Sequence, residues 1–159
     1  MERQSVQQRL WRYGPLIIWM AFIFFASTSE FSASKTSRFI RPLLLWLFPN
    51  ITDAKIALVH TLTRKAAHFT EYAVLGLLAA RAFSVSSHQW IQRAWFQVAT
   101  VLIVVYALTD EYHQTFVPSR TGSIYDSGID IAGGLVALIA FALWRRRRNK
   151  AGALFNVEP

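Results

Sequence analysis

The sequence predicts an all-α integral membrane protein, with four transmembrane helices plus an interfacial amphipathic helix in the long first outer loop. Three observations carry that expectation. Hydrophobic residues make up 53% of the chain, with twelve Phe and six Trp, and they fall in blocks rather than at the spacing of a soluble amphipathic domain. The blocks centre on residues 16–27, 66–83, 95–108 and 129–144, each short of the roughly 20 apolar residues a span requires, so flanking polar residues must complete the crossing. The net charge of +8 gathers at the block edges, as membrane topology determinants do. A nucleic-acid partner is excluded, since it would call for basic residues interleaved with exposed aromatics on a soluble face. Cysteine is absent, which removes disulfides, thiolate nucleophiles and cysteine metal ligands.

Taken in order, Arg3, Arg9 and Arg12 precede PLIIWMAFIFFAS. Bulky Phe31 follows Glu30, and the small-residue alternation Ser32-Ala33-Ser34 is weak, so this block reads as an uncleaved first span rather than a signal peptide. Trp11 and Tyr13 stand at its expected interface. The outer segment 30–64 holds Lys35, Arg38 and Arg41 at i, i+3, i+6 beside Phe39, Ile40, Leu43, Leu44, Trp46 and Leu47, the pattern of a helix lying on the membrane. Pro42 is a point at which it would divide. Thr52 or Asp53 caps a further short helix through Leu62 that leads into the second span.

In the second span Lys65, His68, Glu71, Tyr72 and Leu75 recur at three- and four-residue spacing and share one stripe, which should face other helices. A short connection with Arg81, His88 and Arg93 leads to the third span, which ends in Asp110, Glu111 and Gln114. A turn-compatible connection with Pro118, Arg120 and Gly122 follows. The fourth span opens with Asp126 and Asp130 at i, i+4, then Gly133 and Gly134, where missing side chains permit close helix approach.

Charge asymmetry orients the spans. With the N-terminus cytoplasmic, the inner segments hold ten basic residues, Arg145 to Arg148 among them, against Glu2 and Glu158, while the outer side holds seven of each sign. That favours both termini in the cytoplasm. The start of span two, the end of span three and the start of span four then converge on one extracytoplasmic pocket. His60, His88 and His113 read as interfacial or loop residues.

The residues Lys65-x-x-His68-Phe69-x-Glu71-Tyr72-x-x-Leu75-Gly76, then Asp110-Glu111-x-x-Gln114-x-Phe116-x-Pro118-x-Arg120 and Asp126-x-x-x-Asp130-x-x-Gly133, resemble the VanZ-like family of small bacterial membrane proteins. The resemblance covers about residues 27–143 of a single 159-residue domain, leaving short basic termini outside it. It implies a membrane protein of the cell envelope, the founding member being associated with teicoplanin resistance.

Beside that resemblance, the chemistry of the residues supports two arrangements. His68, Glu71, Asp110, Glu111, Asp126 and Asp130 would assemble an oxygen-rich divalent-cation site with one imidazole. Lys65 and Arg120 would contact phosphate oxygens as a point charge and a bidentate fork, with Tyr72, Gln114, Asp126 and Asp130 completing the substrate contacts. A polyprenyl-phosphate-linked wall precursor, held with membrane lipid around it, is the expected ligand. The metal-free arrangement has His68 as general base with Glu71 or Asp110 orienting it. Two alternatives stay open: a small-solute or proton-coupled transporter, and a purely structural set of ion pairs holding helices together. The oligomeric state stays open as well.

Overall fold

The computed structural model describes residues 6–28, 33–117 and 123–155, and among these it contains helices and no strands. The helices are α1 (Val6–Ala26), α2 (Ala33–Leu47), α3 (Asp53–Ser84), α4 (Gln89–Arg93), α5 (Trp95–Gln114) and α6 (Ile124–Phe155). Between Asp53 and Ser84 there is no proline and a single glycine, so the expected short helix and second span join into one 32-residue helix. At 1.5 Å per residue α3 is about 48 Å long, well beyond a bilayer core of about 30 Å. Its first three turns precede Arg64, where α3 meets the start of α6. On those turns α2 packs against it, with Arg41 and Asp53 paired at 3.0 Å in an exposed position.

Two prolines fall inside helices. Pro42 does not divide α2, which runs unbroken to Leu47. Pro15 in α1 lacks the amide that would bond the carbonyl four residues earlier. That carbonyl belongs to Trp11, and Arg81 reaches it from α3 at 3.5 Å. Tyr13 hydrogen-bonds Ser86 at 2.9 Å, and Trp19 donates its indole N–H to the Glu71 carbonyl at 2.9 Å. These pairs fix α1 antiparallel to α3.

The most extensive helix pair is α3 with α6, and it is built on glycine. A Cβ on Gly76 would stand 2.6 Å from the Gly134 carbonyl oxygen, and one on Gly134 would stand 2.7 Å from Ile103 of α5. A Cβ on Gly133 would overlap the Phe69 carbonyl. Both backbones are therefore close enough that only hydrogen fits between them. The two helices run parallel, since Asp126, Asp130 and Gly134 meet Arg64, His68 and Gly76 in the same order. Helix α5 returns antiparallel beside them, with Trp95 against Phe141 and Tyr106 against Tyr72.

The surface is apolar along most of its length. Ile17, Ile18, Val101, Val105, Val136 and Ile139 are exposed, whereas His68, Asp110, Glu111, Gln114, Asp126, Ser127 and Asp130 are buried. Exposed aromatics cluster at the two ends, Trp11, Trp90 and Trp144 at one and Trp46, Tyr112 and Tyr125 at the other. By length and composition one helix among the described residues can cross a membrane, at Ile124–Ala151. The other three expected spans do not meet that test by themselves. Arg64, Lys65, His68, Glu71 and Arg81 dilute the hydropathy of α3, and Asp110 and Glu111 do the same for α5.

The glycine contacts give a direct test. Gly133→Ala should destabilise the protein by about 1–3 kcal/mol or more, because the clash is with backbone, while Gly128→Ala, with nothing within 4 Å, should be neutral or slightly stabilising. Unfolding in mixed micelles measures both; equal stability of the two variants would contradict the packing.

Candidate functional site

Three helices bring polar side chains to one end of the bundle. The i, i+3 and i+4 spacing on α3 turns Lys65, His68 and Tyr72 toward α5 and α6, leaving His68 and Tyr72 buried and Lys65 half-buried. The last turn and a half of α5 supplies buried Asp110, Glu111 and Gln114, and the start of α6 supplies Asp126, Ser127 and Asp130. Just ahead of α6, the backbone N–H of Ser123 donates to Glu111 Oε2 at 2.6 Å and ties the start of that helix to the end of α5.

At the centre, His68 Nδ1 lies 3.2 Å from Asp130 Oδ1. His68, Glu111 and Asp130 each offer one ligand atom, and these atoms all lie within 4.8 Å of one another. Exposures of 7%, 6% and 0% put the three out of reach of bulk water. Around them Gln114 donates to Asp110 Oδ2 at 3.2 Å, an i, i+4 contact within α5. Among the described residues, several buried oxygens keep an unpartnered face: Tyr72 OH, Asp110 Oδ1, Glu111 Oε1, Gln114 Oε1, Ser127 Oγ and Asp130 Oδ2. Leaving one such group unsatisfied costs about 1–3 kcal/mol, and more when it is charged. A set of this size on neighbouring turns fits a cation. One imidazole, two carboxylates and neutral oxygens suit a divalent ion of borderline or hard character.

Asp126 stands apart from that trio. It accepts Arg64 Nη2 at 2.7 Å and Lys65 Nζ at 2.8 Å, so it is neutralised by two cations from α3. Lys65 and Asp126, both expected to contact ligand, thus face each other across the α3–α6 seam. Arg64 is a site residue that the sequence reading passed over, although it lies one turn before His68 on the same face. Ser123 and Ser127 were passed over as well, being uncharged.

The remaining expected residues are placed as follows. Glu71 is half-buried, its carbonyl receives the Trp19 indole, and it is outside the trio. Arg120, with Pro118 and Gly122, lies outside the described residues. His113 stacks on Phe24 at 4.5 Å, clamping the end of α1 to α5, and His88 is exposed before α4. Among the described residues, the side chains His68, Asp110, Glu111, Gln114, Asp126 and Asp130 at this end are buried. Clefts of about 950 and 630 Å³ open at the opposite end of the bundle, among arginines.

Against known proteins, the family model described as VanZ/LLP1 matches residues 13–145. The matched stretch takes in α1 from Tyr13 onward, which precedes the motif residues, and runs to the first of the four consecutive arginines in α6. Comparison with curated proteins and with solved structures returns no match.

Proposed function

The chain belongs to the VanZ/LLP1 family, and from that premise we propose that it is an inner-membrane protein of the bacterial cell envelope whose buried trio holds a divalent cation and through it a lipid-linked phosphate. In this reading α1, α3, α5 and α6 cross the bilayer, α2 lies on its outer surface, and both termini are cytoplasmic. The apolar midsection between two aromatic ends supports the crossing. The side-chain charges support the orientation: Arg9, Arg12, Arg81, Arg93 and Arg145 to Arg148 belong to the ends of helices remote from the trio.

The observation that carries the functional reading is the convergence of His68, Glu111 and Asp130 amid buried, unpartnered oxygens. Two negative charges and an imidazole cannot attract a phosphate unaided. Arg64 and Lys65, the nearest described cations, are already committed to Asp126. A divalent cation reverses the local sign and supplies the Lewis acid that a phosphate or pyrophosphate group binds. His68, Glu111 and Asp130 would hold it, with Asp110 and Gln114, bonded to each other, supplying further oxygens beside them. Tyr72 and Ser127 offer hydroxyls to a phosphate oxygen. Arg64, Lys65 and Asp126 hold α3 to α6. A lipid-linked wall precursor meets these demands, because its pyrophosphate sits at headgroup depth, the level that this topology gives the cluster. Teicoplanin resistance follows as the phenotype when such a precursor is altered or shielded.

Two measurements test this. Because the chain is free of cysteine, Tyr125→Cys and Ser87→Cys give clean single-thiol probes: in spheroplasts a membrane-impermeant maleimide should label Tyr125→Cys and leave Ser87→Cys unlabelled until lysis. The reverse pattern overturns the orientation. In a teicoplanin-susceptible host, the wild-type chain should lower susceptibility, and Asp130→Asn and Glu111→Gln should return it to the empty-vector level at equal expression. Full protection by both variants would sink the functional role of the trio.

A further inference from the structure

At the arginine-bearing end, α3 and α6 enclose a cleft of about 950 Å³ that the cation site does not use. Leu78, Phe141 and Trp144 give it an apolar wall, and Arg81 from α3 joins Arg145 and Arg148 from α6 at its edge. Among the described residues no carboxylate pairs with any of these three arginines. The Arg81 contact to the Trp11 carbonyl is long, at 3.5 Å, and the Arg148 guanidinium lies 5.0 Å over the Trp144 ring. Their charge is therefore available to a ligand.

We propose that this cleft binds one anionic phospholipid of the inner leaflet, its phosphate between the guanidiniums and an acyl chain along Leu78 and Phe141. Charge complementarity selects the class of ligand. Three guanidiniums from two helices form a fork for phosphate oxygens that a zwitterionic headgroup, carrying its own cation, offsets. The apolar wall selects a lipid over a free phosphate, since inorganic phosphate leaves that surface uncovered. Trp144 sets the depth: indoles prefer the headgroup level, and Trp11 and Trp90 share that end of the molecule. Basic clefts between helices on the cytoplasmic side are where such headgroups dock. The site goes beyond the cation centre and stands whether or not a cation binds there.

Native mass spectrometry of the full-length protein, purified in a zwitterionic detergent and titrated with dioleoylphosphatidylglycerol or dioleoylphosphatidylcholine, tests it. The phosphatidylglycerol adduct should persist at collision energies that strip phosphatidylcholine. Arg81→Gln and Arg148→Gln should each weaken it about fivefold, whereas Arg147→Gln, which removes the same charge outside the cleft, should behave as wild type. Equal retention of the two lipids overturns the proposal. So does a loss in Arg147→Gln as large as in Arg148→Gln, which would assign the preference to a diffuse basic surface.

Discussion

The backbone contact between α3 and α6 at Gly76, Gly133 and Gly134 is the constraint on which the other features depend. Without a side chain at Gly133, the α6 backbone reaches the Phe69 carbonyl, and this sets both the separation and the register of the two helices. One turn away, that register brings Asp130 to 3.2 Å from His68; one turn further, it brings Asp126 to Arg64 and Lys65. A methyl group in the seam would push the helices apart by more than these contacts tolerate. In a lipid environment, where apolar side chains gain nothing by leaving lipid for protein, such close van der Waals approach is itself what drives helix association.

Two kinds of polar contact share the seam and do different work. The Arg64–Asp126–Lys65 group is complete in itself: opposite charges meet at salt-bridge distance, partly open to solvent, and no further ligand is called for. The His68–Glu111–Asp130 group is incomplete. Its acceptors outnumber its donors, it is almost fully buried, and oxygens around it lack partners. Intramembrane ionisable groups are costly at about 2.5–3.5 kcal/mol each on insertion scales. The first group offsets the cost of burying charge internally, and under the proposed function a bound cation would do so for the second. The glycine seam thus yields a structural clasp and the candidate cation centre within two helical turns.

Much of this was legible in the chain. The stripe Lys65, His68, Tyr72 follows from helical spacing alone, and the structure buries His68 and Tyr72 as that spacing requires. Gly133 and Gly134 marked a close approach, and the basic run in segment 30–64 marked a helix that now includes α2. The pairing was not legible. Which of two carboxylates meets the histidine and which meets the lysine depends on helix register, and that is fixed by glycine contacts between segments some 60 residues apart. Glu71, on the helix that carries His68, is half-buried and outside the trio, because the trio is chosen by three-dimensional approach rather than by spacing on one helix.

The measurement that bears most directly on the central claim is the metal content of the protein, purified in detergent and dialysed without chelator. Elemental analysis should find close to one divalent ion per chain in the wild type and in Glu71→Ala, and none in Asp130→Asn, with helical content unchanged in all three. A wild-type protein free of divalent metal, or an Asp130→Asn variant that retains it in full, would contradict the account and leave the trio as a hydrogen-bonded clasp like its neighbour.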